Sequence, residues 1–512
     1  MLYYLSFEPG TGHYRNYRLK EPAPALSLLS EVLRLMSKAK TREDVVRNIS
    51  SRHFILMPDG TEIPIDLDKT EEVLNTLKEV GCKPLESYVV SEELKMPPMK
   101  EPPSIKAMQS HELVGYEPSS DSGNFRFYPK GYLIFELLRD WAYDIAVNRF
   151  KAIQVDSPLL FDWDDAQIKE QAGTFHERHY TVKVPDNPDK EFILRFAGDF
   201  GLFKIMKDAT ISYRNLPLRM YEFSKSFRYE RDGELSGLKR LRAFHMPDIH
   251  CFCKDIDEGW NEYQELYRNY SDLCDSSGVE YAVVFRIVSS FYQQNKSRLA
   301  DLVKYSNMPA FVEVMSDMKH YWAVKNEFQG VDSTRSCIQL STVQLDVKDA
   351  AVYGIDYTDS DGKKKGCIIC HSSIGSIERW YYSILEEALK NETPTLPVWL
   401  SPTQVRIIPV SEKQVNYCKY IDIDGVRLDV DDEDDTLSKK IARANMEWVP
   451  YVAVVGEKEV DSGLFSVSIR DSGKRVTMTK DELAREVRKK CAGKPYRPLP
   501  LPKLLSQRPV FR

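Results

Sequence analysis

The chain has 512 residues, 42% hydrophobic and 29% charged, the balance of a soluble globular protein with room for about two to four domains. Its net charge of −6 excludes a bulk polycation, so any nucleic acid must be held by local patches. No run of about eighteen apolar residues is present to span a membrane. The opening MLYYLSFEPGTGHYRNYRLK lacks a charged-then-apolar leader pattern, and the nine cysteines are scattered or in short pairs, the usage expected of a cytoplasmic protein with reduced thiols.

In chain order, residues 1–95 read as a small α/β unit. LSLLSEVLRLMSKA has helical periodicity, and HFILMPDGTEIPIDL reads as two strands around a turn at Asp59-Gly60. MPPMKEPPS marks a proline-rich linker, 96–110. From Gly131 a long amphipathic helix is predicted, with Ile134, Leu138, Trp141 and Ile145 on one stripe. The extended run KAIQVDSPLL follows. Residues 111–393 mix strands such as YAVVFRIV and TVQLDV with helices, joined more by irregular loops than by crossover helices, which favours a largely antiparallel sheet. NETPTLPVWLSP opens a further unit, 394–512, in which VRIIPV, a helix near Asp435 to Met446 and VPYVAVVG suggest a βαβ arrangement. The acidic run DVDDEDD suits the start of that helix. The last 22 residues carry five basic residues, five prolines and no acids, and are expected to lie extended on the protein or on RNA.

The segment SFRYERDGELSGLKRLRAFHMPDIHCFC, from Ser226 to Cys253, concentrates chemistry. It reads as a strand, a glycine-marked loop (Gly233, Gly237) and a returning strand. Arg228 and Glu230 are two apart and would share a face, as would Arg240, Arg242 and Phe244, then Asp248 and His250. Such a face offers cations for phosphate, a ring for stacking, and a carboxylate and imidazole besides.

Read with three other stretches, this segment resembles the class II aminoacyl-tRNA synthetases. KGYLIFELLRDWAYDIAVNRFKAIQVDSPLL is similar to their first motif, ending at Pro158; SFRYE with RLRAF to the second; GSIERW, with Arg379, to the third. LPLRMYEFSKSFRYE, MPDIHCFC, STVQLDV and HSSIGSIER resemble the threonyl-tRNA synthetases among them, and YEPSSDSGNFRFYPKG and GLKRLRAFHMPD their archaeal branch. The resemblance covers residues 110 to 512. It implies an α+β fold: an antiparallel sheet of six to seven strands flanked by helices, a C-terminal α/β anticodon-binding domain, and a homodimer built through the first motif.

The implied reaction joins L-threonine to tRNA(Thr) through threonyl-adenylate, with ATP accompanied by Mg²⁺. By resemblance Arg228 grips the α-phosphate and the amino-acid carboxylate, a bidentate task suited to a guanidinium. Arg379 and Arg240 hold the γ-phosphate end, Phe244 stacks on adenine, and Glu230 accepts from its amino group. Gln339, Thr342 and Gln344 contact nucleotide or substrate, Lys325 lies on the pyrophosphate side, and Asp248 bonds the threonine hydroxyl. In the C-terminal domain Glu459 and Arg470 match positions that read anticodon bases. Taken singly, each arginine is an ordinary surface ion-pair partner and Phe244 an ordinary core ring.

Threonine and valine are nearly isosteric. A zinc ion that takes both amino nitrogen and hydroxyl separates them, because valine has no hydroxyl. The resemblance implies a cysteine and two histidines as ligands. His250 and His371 match the histidines, but Asp199 stands where the cysteine is expected. Three readings stay open: Asp199 completes the set, Cys251, Cys253 or Cys370 swings in, or zinc is weak or absent.

Serine differs from threonine by one methyl, which binding alone discriminates by only about 1–3 kcal/mol. No match to the archaeal editing module is found, so the expectation is a catalytic form whose seryl-tRNA is cleared by a separate trans-editing protein. The rivals are a non-catalytic synthetase-like RNA-binding paralogue, and a serine or proline enzyme, against which the His250–His371 pair argues.

Overall fold

A computed structural model, describing residues 2–7, 14–19, 51–94, 102–174, 178–318 and 320–511, sets ten strands into one sheet. In chain order they are β1 (Ser51–Leu56), β2 (Glu62–Ile65), β3 (Ile153–Val155), β4 (Leu218–Phe227), β5 (Ala243–Cys253), β6 (Tyr281–Val288), β7 (Ala310–Met315), β8 (Trp322–Val331), β9 (Cys337–Asp346) and β10 (Ile368–Ser373). Their spatial order is β2-β1-β7-β6-β8-β9-β10-β5-β4-β3. Only β6–β7 and β3–β4 pair parallel; the other neighbours are antiparallel. The α+β class and largely antiparallel sheet are as expected, and the sheet is larger than the six to seven strands implied.

Alternation along the strands gives the sheet two unlike faces. One packs its apolar side chains against helices α1 (Pro129–Tyr143), α2 (Ile256–Ser277) and α3 (Ile377–Leu389). In α2, Trp260, Tyr263, Tyr267, Tyr270 and Cys274 recur at helical spacing and are buried. Asp255 caps its first turn by accepting from the Glu258 N–H, and Gly278, at φ 73°, ends it. The stripe foreseen in α1 is buried too, and the helix continues as a wider turn through Ile145.

Among the described residues, helices cover the opposite face at its two ends. At one end, helices Thr70–Glu79 and Lys83–Tyr88 lay Val73, Leu77, Leu85 and Tyr88 over Ile55, Val284 and Phe311. At the other, Phe200, Phe203 and Met206 of helix Asp199–Lys207 pack on Met220, Phe252 and Ile369. The site lies between.

This arrangement corrects the expected separate unit at 1–95. Residues 51–94 belong to the catalytic sheet, because a lone hairpin buries too little to stand and β1 finds its partner in β7. The foreseen turn at Gly60 is present, at φ 87°. A second antiparallel hairpin pairs Leu2–Phe7 with Tyr14–Leu19. The helix predicted in LSLLSEVLRLMSKA lies outside the described residues. The foreseen linker carries a helix over Pro103–Ser110.

The C-terminal domain is a five-stranded sheet, β12-β11-β13-β14-β15, formed by β11 (Val405–Pro409), β12 (Leu428–Val430), β13 (Tyr451–Val455), β14 (Leu464–Ile469) and β15 (Lys474–Thr479). β11 and β13 are parallel neighbours, as the βαβ reading requires. In the acidic run, Asp431 and Asp435 pair with Arg443 of helix Leu437–Met446. The basic tail lies on the protein: Arg497 pairs with Asp140 and Glu136 of α1, and the Phe511 N–H donates to Glu112.

Candidate active site

Strand pairing lines up a polar row on the open face. Arg286 stands opposite Lys325, Lys325 opposite Gln344, Gln344 opposite His371, and His371 opposite His250. A second row on that face runs Glu327, Thr342, Ser373, Asp248. All of these but Glu327 floor a cavity of about 860 Å³, whose walls add Asp199, Arg228, Glu230, Arg240, Phe244, Gln339 and Arg379. The cavity therefore gathers every expected site residue except Glu459 and Arg470.

One end is cationic. Arg228 Nε donates to the Phe196 carbonyl at 3.0 Å, and its guanidinium carbon lies 5.1 Å from the Phe244 ring centroid. Arg379 Nε donates to the Lys239 carbonyl and its terminal nitrogen to the Gln339 carbonyl. Burial, then the charges of Arg228 and Arg240, push Arg379 down to about 10. Burial also lowers Arg228. Like charges crowded in a cleft favour an incoming anion. Glu230 Oε2 accepts from Arg240 at 2.9 Å and from Arg178 at 2.5 Å.

The route by which Arg228 and Glu230 reach the cavity differs from the expected shared strand face. β4 stops at Phe227, and the Glu230 N–H donates back to the Arg228 carbonyl at 2.8 Å. Arg242 does not join Arg240 and Phe244. It is buried, bonded to Asp121, Asp232 and the Glu230 carbonyl.

At the other end Asp199 Oδ1 lies 3.0 Å from His250 Nε2 and 3.9 Å from His371 Nδ1. One donor from each converges within reach of a single ion. Burial pushes the neighbouring Asp248 carboxyl up to about 6, against the pull of His250. Ser224 Oγ donates to it. A Cβ at Gly198 would meet Ser224 Oγ at 3.0 Å and Asp248 Oδ2 at 3.2 Å, so glycine keeps this corner open. The swinging-cysteine reading fails on register. Cys251 pairs with Cys370 one step from His250–His371, so both thiols point to the opposite face, and Cys253 shares it; all three are buried in the apolar core.

The remaining expected residues are already engaged. Gln344 Oε1 accepts from the Tyr321 hydroxyl at 2.9 Å, the Thr342 hydroxyl donates to the Asn326 carbonyl, and Lys325 pairs with Glu327 at 2.8 Å. Glu459 caps its own short helix through the Gly456 N–H, while Arg470 donates to the Pro394 carbonyl in the interdomain linker and to the Asn445 carbonyl.

Sequence reasoning missed Arg178, Tyr321 and Asp346, which touch Glu230, Gln344 and His371 respectively. Asp346 was within reach, two residues after Gln344 on the same strand face. Arg178 sits in irregular chain and carries no such signal.

Residues 180–388 match the tRNA synthetase class II core domain (G, H, P, S and T), and residues 404–490 match an anticodon binding domain. The fold is shared with the crystallised RNA binding domain of threonyl-tRNA synthetase from Cryptosporidium parvum Iowa II (TM-score 0.67, 22% identity, 77% of this chain and 99% of that one). It is also shared with prolyl-tRNA synthetase from Cryptosporidium parvum (TM-score 0.60, 16% identity, 75% of each chain). Fold and site together define a class II tRNA synthetase core carrying an anticodon-binding domain. A threonine–tRNA ligase of Pyrococcus furiosus is 40% identical over 98% of this chain and 81% of its own length. One of Methanosarcina mazei is 42% identical over 80% and 66%. The chain belongs to the threonine–tRNA ligase family.

Proposed function

We propose that this chain charges tRNA(Thr) with L-threonine in two steps. Threonine and ATP give threonyl-adenylate and pyrophosphate; the threonyl group then passes to the terminal ribose of tRNA, releasing AMP. The observation that carries this reading is the convergence of Arg228, Arg240 and Arg379 on one cavity that also holds Asp199, His250 and His371.

The first step brings a carboxylate onto an α-phosphate, so its difficulty is negative charge. Arg228 is assigned to that phosphate and the carboxylate, Arg240 and Arg379 to the γ-phosphate end of a bent ATP with Mg²⁺, and Lys325 to the pyrophosphate side. Phe244 offers the stacking face for adenine and Glu230 the acceptor for its amino group, with Gln339, Thr342 and Gln344 lining nucleotide and substrate. Catalysis on this reading is positioning and preorganised charge.

Asp199, His250 and His371 suit zinc: two nitrogens and one oxygen converge, and a three-ligand set leaves positions for substrate on an ion that can expand to five-coordinate. When bound, zinc supplies Lewis-acid sites for the amino nitrogen and hydroxyl of threonine, a pair valine lacks. Asp248, beside them, is the acceptor for the hydroxyl proton. In the C-terminal domain Glu459 and Arg470 are the proposed base-reading pair.

A homodimer is favoured by the exposed apolar run at the β3 edge, Ile153, Leu159 and Leu160. A cytoplasmic place suits the nine unpaired cysteines. Residues 51–94 are committed to the catalytic sheet, and on this reading seryl-tRNA is hydrolysed by a separate protein; purified chain that deacylates seryl-tRNA overturns that part. A non-catalytic paralogue is disfavoured, since the arginines and both histidines are in place.

The test is amino-acid-dependent ATP–pyrophosphate exchange with threonine, serine and valine, on protein assayed for zinc. Exchange with threonine, weaker with serine and none with valine is expected. No exchange with any of the three from folded protein sinks the reading, and valine rejection without zinc sinks the metal-based selectivity.

A further inference from the structure

We propose that Asp346 is the positioning residue that makes His371 a metal ligand through Nδ1. This rests on the reading that Asp199, His250 and His371 hold zinc. His371 Nε2 lies 2.7 Å from Asp346 Oδ2, and both side chains are buried. Asp346 Oδ1 accepts two main-chain N–H groups, from Lys348 at 2.7 Å and Asp349 at 3.0 Å. Those amides begin the helix Asp349–Tyr353, so the carboxylate is fixed to the backbone at one oxygen and faces the imidazole with the other.

The tautomer follows from donor and acceptor counting. A carboxylate oxygen opposite Nε2 at 2.7 Å needs a hydrogen on that nitrogen, or two acceptors would face each other. A neutral imidazole with its proton on Nε2 carries its lone pair on Nδ1. Nδ1 is the atom that faces Asp199. The ring is also held edge-on by Phe203, at 5.4 Å between centroids, which limits its rotation. The two histidines are unequal in this respect: His250 Nδ1 is buried with no hydrogen-bond partner among the described residues. A carboxylate behind a metal-bound imidazole orients the ring and raises its basicity.

A rival use of the same atoms exists. Asp346, Asp349 and His371 also place one donor each within reach of a single ion. That arrangement takes His371 by Nε2 and breaks its bond to Asp346, so the two are mutually exclusive.

The substitution Asp346→Asn tests the positioning role, and Asp349→Asn with His250→Ala separates the two clusters. Asparagine keeps an oxygen for the two amides but turns an NH2 toward Nε2, which forces the proton onto Nδ1 and blocks the ligand position. In the full chain, zinc affinity measured by chelator competition should fall about 10- to 100-fold. With nitrogen-15-labelled histidine in metal-free protein at alkaline pH, His371, assigned by comparison with His371→Gln, should show a protonated Nε2 in the native chain and a protonated Nδ1 in the variant. Native His371 protonated on Nδ1, or an Asp346→Asn chain with unchanged zinc affinity, overturns the proposal. So does loss of zinc in Asp349→Asn with none in His250→Ala, which puts the ion in the rival cluster. The native tautomer needs no variant to fold. A native chain that binds no zinc defeats the underlying metal reading alone, and the tautomer measurement still decides what Asp346 does.

Discussion

Lys494 Nζ lies 3.9 Å from the ring centroid of Trp141 and 5.5 Å from that of Trp399. Trp141 belongs to α1 of the catalytic domain, Trp399 to the interdomain connection, and Lys494 to the C-terminal tail. Three residues on, Arg497 pairs with Glu136 and Asp140 of α1. The tail thus clamps the domains together, and burial pushes the Lys494 ammonium down to about 8. Lys494→Ala should destabilise the chain by about 1–2 kcal/mol, the range for a desolvated cation on an aromatic face. Thermal unfolding, with limited proteolysis of the tail, reads this; unchanged melting and unchanged cleavage would remove the clamp.

A second interdomain link depends on pH. Glu447 accepts from Lys130, in the first turn of α1, and from Arg406 of β11. Burial raises its carboxyl, but Arg406 and Lys130 outweigh that and hold it at about 2, against an ordinary value of 4.5. A carboxyl depressed in the fold contributes stability above its unfolded pKa and loses it as pH falls toward the folded value. The contribution, on the order of 2–3 kcal/mol, should therefore vanish between pH 4.5 and about 2. Urea titrations across that window should fall more steeply for the native chain than for Glu447→Gln. Parallel slopes would mean that Glu447 does not couple the domains.

The cavity floor was legible in the sequence because strand periodicity is local. His250 and Asp248, or Gln344 and Thr342, are two apart, and whichever face takes one takes both. The same periodicity carried the three cysteines to the far face. Arg228 and Glu230 were found through resemblance, yet the strand face invoked for them ends at Phe227. What stayed hidden was long-range pairing. Nothing in SRHFIL announces β7, some 250 residues further on, as its neighbour, and nothing near Arg178 announces Glu230.

The fused sheet predicts what truncation does. Removing residues 1–94 strips β1 from β7 and uncovers Val284 and Phe311, now under Leu77, Leu85 and Tyr88. Each buried side chain of that kind contributes about 1.5–3 kcal/mol, and a bare strand edge templates aggregation. The 95–512 fragment should be insoluble or aggregate on purification. A soluble, monodisperse and active fragment, judged by size-exclusion chromatography and pyrophosphate exchange, would restore the independent N-terminal unit.

On the proposed function, Arg228 is the residue on which the first chemical step leans most. Its Nε is committed to the Phe196 carbonyl, which aims the terminal nitrogens as a planar fork. Lysine in its place keeps the positive charge but loses the fork and the fixed plane. If the role is bidentate and preorganised, Arg228→Lys should slow threonine-dependent ATP–pyrophosphate exchange about 10²- to 10³-fold, the scale for losing one transition-state donor. Zinc content should not change, because Arg228 is no part of the ligand set. The effect should fall on kcat more than on the KM for threonine, since the carboxylate and the α-phosphate acquire their shared geometry only as the bond between them forms. Activity within about threefold of the native chain would show that charge alone suffices, and would move the α-phosphate contact to Arg379 or Arg240.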